Sequence, residues 1–213
     1  MDNIIRFFQE GGPFMYPIGV VLAIGLAVTL ERFIFLTREK ISNRQSFEDV
    51  LPMLKKRDFR AALNYTNSSE AKISNIFSAG ISRIPSGRRD DIELAMEEGV
   101  MEAIPQLEKR TQYIATLANI ATLMGLLGTI MGLISAFTAV ANAAPADKAT
   151  LLSQSISVAM NTTAFGLMAA IPLLLCHTFL QTKTDEIIDS IEMASVKFLN
   201  IVTERKPNSN NEG

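Results

Sequence analysis

Residues 111–146, TQYIATLANIATLMGLLGTIMGLISAFTAVANAAPA, form a run of 36 without Asp, Glu, Lys or Arg. Two further charge-free runs cover 149–182 and 11–30, with 34 and 20 residues. A helix needs about 20 mostly apolar residues to cross the ~30 Å hydrocarbon core of a bilayer. A chain of 213 residues cannot easily bury three such runs in a water-soluble core. The pattern therefore predicts an all-α integral membrane protein with three transmembrane helices, rather than a soluble enzyme, a nucleic-acid binder or a secreted disulfide scaffold.

The first apolar run has two interpretations, a cleaved secretory signal and a retained membrane helix. A signal needs a basic start, a short apolar centre and a cleavage site after small residues. Here the first ten residues contain Asp2, Arg6 and Glu10, and apolar residues resume after Glu31 and Arg32 without a convincing cleavage site. We interpret the run as a retained helix within residues 1–37.

The distribution of basic residues predicts the orientation in the membrane. Residues 38–110 contain 13 Lys or Arg, whereas residues 147–152 contain Lys148 alone. Cytoplasmic segments carry the excess of Lys and Arg. We therefore predict a periplasmic N-terminus and a cytoplasmic C-terminus in a bacterial inner membrane. The predicted segments are helix 1 within 1–37, a cytoplasmic helical segment 38–110, helix 2 over 111–146, a periplasmic loop 147–152, helix 3 over 153–182 and a cytoplasmic extension 183–213.

Helices 2 and 3 are predicted to extend beyond the bilayer into the cytoplasm. At 1.5 Å per residue, the 36-residue run alone would reach about 54 Å. The apolar spacing of Asp90 to Gln112 predicts an amphipathic helix continuous with helix 2, with Pro105 as a candidate kink. Helix 3 is expected to continue through Phe198, and the last eight residues, 206–213, to be disordered. Short helices between 45 and 82 should break near Asp58 and residues 67–69, and residues 85–87 should form a turn.

Small and polar residues mark one face of each of the two later membrane helices. Glycines spaced three and four apart in helix 2 allow close helix packing in lipid, which is the simplest interpretation of Gly125, Gly128 and Gly132. A polar stripe in helix 3 faces protein or a water-filled path rather than lipid. Each hydroxyl can alternatively bond to the carbonyl four residues earlier. We favour a hydrated path for the stripe as a whole, and its candidate residues are Ser157, Asn161, Thr162, Thr163, Thr122 and Thr129.

No carboxylate lies in the middle of any span, so an ion path here would need a titratable group from a partner. Glu31 and Arg32 are predicted to pair at the membrane boundary, in preference to an ion-relay role for Glu31. His177 is a lone histidine, which we treat as structural, and Cys176 is a lone cysteine without an internal disulfide partner. The basic run at 55–57 is short and balanced by acids, which indicates a solvated helix face or a lipid-headgroup contact. We predict no metal, no cofactor and no enzyme activity.

Two motifs resemble a known family. GLLGTIMGLI, residues 125–134, resembles the GLxGTVxGLI signature of the MotA/TolQ/ExbB proton channel family, and TAFGLMAAIP, residues 163–172, resembles its TAxGLxxAIP signature. The pair Glu31-Arg32 is similar to the family's ER pair. The three-span layout with a long cytoplasmic segment also resembles the family, and its short ExbB and TolQ members more than its flagellar ones.

The resemblance implies a function and an assembly. It implies a homopentamer around a pore that holds single transmembrane helices from two copies of an ExbD/TolR/MotB-like partner, in contact with membrane lipids and without nucleic acid. Thr129 and Thr163 match the family's pore threonines, and Gly166 joins the packing glycines. Such a subunit converts proton motive force into mechanical work at the envelope. The alternative is a non-conducting scaffold that only anchors the partner.

One position departs from the family pattern. ExbB and TolQ proteins usually have a glutamate five residues before the signature threonine, where this chain has Val158. We expect proton transport, because short members mostly use protons, and keep sodium as the alternative, because hydroxyl oxygens also ligate hard cations. The process that the protein drives is not encoded in these motifs.

Overall fold

The described part of the chain, residues 11–204 of a computed structural model, contains α-helices and one 3₁₀ turn and no strand. Three of its helical stretches are long and apolar enough to cross a membrane. This confirms the predicted all-α membrane fold. The helices are α1 (Met15–Lys55), α2 (Phe59–Ser68), α3 (Lys72–Arg83), α4 (Arg89–Glu108), α5 (Thr111–Ala141) and α6 (Lys148–Thr203).

The helix ends differ from the predicted boundaries in three places. Helix α1 continues to Lys55, past residue 37, the predicted end of its membrane-spanning part, because the charged residues after the apolar run include good helix formers. Helix α5 ends at Ala141 instead of 146, before Pro145, which has no N–H to continue a helix. Helix α6 begins at Lys148 rather than 153. Asp147, a residue type favoured just before helices, supplies the backbone carbonyl that accepts the N–H of Leu151. The predicted loop 147–152 is therefore replaced by a connection over 142–147.

The amphipathic helix before the second span is present but not continuous with it. Helix α4 ends at Glu108 and α5 begins at Thr111, and between them Arg110 has a left-handed backbone with φ 70°. Pro105 lies inside α4, and the N–H of Lys109 donates to its carbonyl at 3.0 Å. The helix is therefore interrupted four residues after Pro105, and not at Pro105, where the kink was predicted.

The chain divides into two compact units. One comprises Met1–Phe33 and Arg110–Leu180, and we call it the membrane unit. The other comprises Ile34–Lys109 and Gln181–Gly213, and we call it the charged unit. Residues 1–10 and the predicted disordered tail 206–213 lie outside the described residues.

Aromatic and apolar side chains form the core of the charged unit. Phe77 of α3 stacks on Phe198 of α6 with ring centroids 4.9 Å apart, which confirms that α6 continues to that residue. The Asn43 side chain accepts the N–H of Ile73 at 3.0 Å and so satisfies one of the free donors at the start of α3. Asp58 does the same for α2 through Ala61.

The predicted breaks around α2 and after α3 are present. Helix α1 ends just before Asp58, and residues 69–71 separate α2 from α3. A 3₁₀ turn covers Ile84–Ser86, and Gly87 follows with φ 69°, a conformation that glycine adopts without steric cost. This is the turn predicted at residues 85–87.

Candidate functional site

Helices α5 and α6 approach each other closely where two glycines meet in the membrane unit. A Cβ added at Gly166 would lie 2.8 Å from the carbonyl oxygen of Ala121 and 3.0 Å from Cα of Gly125. One added at Gly125 would lie 3.3 Å from Cα of Thr163. The two backbones are therefore in direct contact at a point where any side chain would hold them apart.

Two threonine hydroxyls meet beside this crossing. Thr129 of α5 and Thr163 of α6 are in hydrogen-bond contact through their Oγ1 atoms. Both hydroxyls also approach the Gly125 carbonyl, from Thr129 at 3.2 Å and from Thr163 at 2.9 Å. Both side chains are half-buried. The glycine contact thus positions a hydroxyl pair that spans the two helices.

Thr162 lies on a different face of α6. Its hydroxyl donates to the Val158 carbonyl at 3.0 Å and contacts the Gly11 carbonyl, and its side chain is 2% exposed. Its methyl group occupies the space beside Gly128. Thr162 therefore packs the start of the chain against α5 and α6, whereas its neighbour Thr163 meets Thr129.

The other residues of the predicted stripe are not part of the hydroxyl pair. Ser157 is exposed and Asn161 is half-buried on α6. Thr122 of α5 is exposed and its hydroxyl bonds to the Ala118 carbonyl at 3.2 Å, which is the local alternative considered for every such hydroxyl. Gly132 faces Ala159, whose Cβ lies 2.8 Å from the position that a Cβ at 132 would take.

Glu31 forms its ion pair with a residue that the sequence did not suggest. Its carboxylate lies 3.5 Å from the guanidinium of Arg110, and both side chains are about half-exposed. Arg32, the predicted partner, is 2% exposed and lies within the range of the charges of both Glu31 and Arg110. The signal available in the sequence was that Arg110 is the last charged residue before the 36-residue run.

The interior of the membrane unit offers hydroxyls and no carboxylate. The acidic residues among its described members are Glu31 and Asp147, close to the two ends of the spans. No group of three or more His, Cys, Asp or Glu that could hold a metal occurs in residues 11–204. The buried Nε2 of His177 has no hydrogen-bond partner among the described residues. The site can therefore exchange hydrogen bonds with a ligand or ion, but its own residues supply no proton-binding carboxylate.

The geometry defines a class of protein. It is an apolar membrane protein in which two helices pack closely through glycines and place a pair of hydroxyls beside their contact. A profile of the MotA/TolQ/ExbB proton channel family matches residues 68–193. A putative biopolymer transport protein ExbB homolog of Methanothermobacter thermautotrophicus is 27% identical over 193 residues, covering 90% of this chain and 67% of that protein. The biopolymer transport protein ExbB of Aquifex aeolicus is 32% identical over 107 residues, 50% of this chain and 70% of that protein. The Tol-Pal system protein TolQ of Haemophilus influenzae is 33% identical over 93 residues, 44% of this chain and 40% of that protein.

The chain belongs to the MotA/TolQ/ExbB proton channel family. This is a family of channels and not of enzymes. The match includes both motifs that carry the resemblance, at residues 125–134 and 163–172, and thus both threonines of the hydroxyl pair.

Proposed function

We propose that the protein is a ring-forming, stator-like channel subunit that converts proton motive force into mechanical work at the cell envelope. In this proposal it is a homopentamer in the bacterial inner membrane, with a periplasmic N-terminus and a cytoplasmic C-terminus. Two copies of an ExbD/TolR-like single-span partner occupy the pore. The observation that carries the proposal is the contact between Thr129 and Thr163 in a membrane unit whose interior has no carboxylate. The pentamer and the partner rest on family membership.

The hydrogen bonds of the pair determine what it can bind. A hydroxyl has one donor and two acceptor lone pairs. One threonine can donate to the Gly125 carbonyl and the other to the first hydroxyl, so both protons are used within the chain. What remains is acceptor capacity. The pair therefore suits a protonated carboxyl group, which donates, or a cation, and suits an ionised carboxylate less well.

This preference fits a mechanism in which the partner supplies the titrating group. A partner carboxyl that is protonated on one side of the membrane could pass the hydroxyl pair as a neutral donor and lose its proton on the other side. Hydroxyl and carbonyl oxygens are also ligands for hard cations, so sodium remains the alternative to protons. A non-conducting scaffold is the competing function. In a scaffold, the two threonines would serve packing alone.

The test compares isosteric variants of the pair. Thr129→Val and Thr163→Val keep the shape of the side chain and remove the hydroxyl, and Thr129→Ser and Thr163→Ser keep the hydroxyl. Thr116→Val is the matched control, because Thr116 is exposed and its hydroxyl bonds to the Gln112 carbonyl in its own helix. Each variant is purified with its partner, weighed by native mass spectrometry and reconstituted into liposomes that contain a pH-sensitive dye.

The expected result is that both valine variants lose flux while keeping the pentamer and the bound partner. The serine variants retain part of the flux, and Thr116→Val matches the parent. Normal flux in both valine variants would show that Thr129 and Thr163 are not part of the ion path. Absence of flux in the parent complex would favour the alternative function, a non-conducting scaffold. Repeating the assay against sodium concentration at fixed pH distinguishes the two ions.

A further inference from the structure

A groove with an acidic rim lies between α4 and α6 of the charged unit. Helix α4 carries seven Asp or Glu and a single Arg among its 20 residues. Three carboxylates border the groove, from Glu93 and Glu97 of α4 and Glu192 of α6. Glu93 has a long ion pair with Arg89 at 3.9 Å, and neither Glu97 nor Glu192 has an ion pair within residues 11–204. The rim therefore presents negative charge that the described part of the chain does not neutralise.

The floor of this groove is apolar. It encloses about 300 Å³, with Val100 on one wall and Val196 and Leu199 on the other. Val196 is 59% exposed, and the charged residues nearest to it on its helix are Glu192 and Lys197. Leu94 and Met101 are also exposed, and they lie on the same face of α4 as Glu97 because they are three and four residues from it. These exposed apolar side chains extend the floor of the groove into a surface on which a second molecule could pack.

A positively charged surface, opposite in sign to the groove, lies where α1 ends and α2 begins. Lys55, Lys56, Arg57 and Arg60 are all exposed there, and we call these four residues the basic corner. None of them has an ion pair within residues 11–204, although the Arg57 guanidinium donates to the Glu204 carbonyl. Arg57 also holds a left-handed backbone with φ 59°, which is uncommon outside glycine. The chain thus carries two complementary surfaces with unsatisfied charge.

The two surfaces belong to different helix pairs, the basic corner to α1 and α2 and the groove to α4 and α6, and α1 and α4 pack on different sides of α6. On one side, α6 contacts α1, through Glu186 with Lys40 at 2.6 Å and through Lys197 with the Phe47 ring at 5.9 Å. On the other side, α6 forms the groove with α4. Lys197, on the α1 side, and Leu199, on the groove side, are two residues apart in α6. At about 100° per residue, their side chains are separated by about 200° around the axis of α6.

We propose that the basic corner of one copy docks on the acidic groove of the next copy around the ring. A contact between two different surfaces of one unit is head-to-tail, which is the kind that closes into a ring. The apolar floor accommodates the aliphatic stems of the lysines, and the rim carboxylates pair with their ammonium groups. This inference rests on the proposed ring assembly and adds the surface that joins neighbouring copies.

Cysteine cross-linking of the full chain in isolated membranes tests the contact. In a Cys176→Ser background, Lys56→Cys and Val196→Cys are combined and oxidised. The expected product is a ladder of disulfide-linked species that extends to the full ring. The control combines Lys56→Cys with Arg44→Cys, because Arg44 is exposed on α1 and shares a helix face with Lys55 of the basic corner. This control pair should give no ladder.

Charge reversal then tests the chemistry. Adding Glu97→Lys and Glu192→Lys to the cross-linking pair should reduce the ladder about tenfold, and Lys55→Glu with Arg60→Glu should restore it. The contact is wrong if native mass spectrometry shows a ring but the pair gives no ladder, if charge reversal leaves the ladder unchanged, or if Val196→Cys cross-links to a different protein. A stable monomer by native mass spectrometry would instead refute the ring itself, and with it the proposed function.

Discussion

Replacing Gly166 with alanine measures how much the membrane unit depends on close approach of α5 and α6. The added Cβ would lie 2.8 Å from the Ala121 carbonyl oxygen, whereas ordinary contact begins at 3.4 Å. The obstructing atoms belong to the backbone, so they cannot rotate away as a side chain can. The helices would have to separate by about 0.6 Å, or the crossing would have to tilt.

The expected cost follows from two opposing effects. Overpacking a tight contact costs about 1–3 kcal/mol. Alanine in place of glycine stabilises a helix by up to about 1 kcal/mol, and this gain shrinks if the helix persists in the unfolded reference state. Overpacking therefore wins, and Gly166→Ala should lose about 1–2 kcal/mol. Gly125→Ala should cost less, because its nearest neighbour would be 3.2 Å away and needs to yield only a few tenths of an ångström.

The single cysteine provides the assay. Cys176 is half-buried on α6, so a fluorogenic maleimide should label it as the helices separate on heating in detergent. The expected order of thermal midpoints is parent, then Gly125→Ala, then Gly166→Ala. Ala164→Val is the control, since Ala164 is exposed on the same helix and should leave the midpoint unchanged. A Gly166→Ala protein that melts with the parent, or above Gly125→Ala, would refute the reasoning.

Three further predictions concern the charged unit. Burial raises the pKa of the Glu39 carboxyl, against the opposing charge of Lys72. Stability therefore falls as the pH rises from the ordinary pKa of glutamate, where the unfolded chain ionises, to that raised pKa. Glu39→Gln should raise the thermal midpoint at pH 8 and lose this advantage at about pH 3, where glutamate is protonated in both the folded and the unfolded chain. Asn43→Ala leaves the buried N–H of Ile73 without its acceptor and should cost about 1–3 kcal/mol by the same thermal assay, and an unchanged midpoint would count against that role for Asn43. A cysteine at Ser68, which is exposed, should resist an impermeant thiol reagent added to intact cells, and efficient labelling would reverse the proposed topology.

Hydropathy predicted the fold class and the number of spans because crossing a bilayer requires long apolar helices. It did not predict where those helices end. Residues after position 37 are charged, which lowers hydropathy, yet Arg, Glu and Lys are good helix formers, and α1 therefore continues to Lys55. Asp147 was placed in the predicted loop, but Asp is a residue type favoured just before a helix, and its backbone carbonyl accepts the N–H of Leu151 in the first turn of α6.

The candidate site was only partly accessible from the sequence. Hydrogen bonds such as that of Thr122 to the carbonyl four residues earlier follow from local helix geometry. The contact between Thr129 and Thr163 joins residues 34 apart and depends on how the helices pack. The family resemblance marked both as pore residues, but it did not indicate that they meet. The adjacent Thr162 illustrates the limit, because its sequence context resembles that of Thr163 but its side chain packs toward Gly11 and Gly128.

Val158 bears on how protons or sodium ions could pass this protein, because it occupies the position of the glutamate found in ExbB and TolQ proteins. This residue lies one helical turn before Thr162, whose hydroxyl bonds to its carbonyl, and its methyl group would lie 3.1 Å from a Cβ at Gly12. An ionised glutamate in its place would be partly desolvated against the start of the chain, whereas valine carries no such cost. A relay through a carboxylate at this position is therefore absent from the protein. Under the proposed function, the hydroxyl pair with its free acceptor capacity must then meet the partner's group or the cation directly, so the partner's carboxyl, and not this chain, would set the pH at which the channel works.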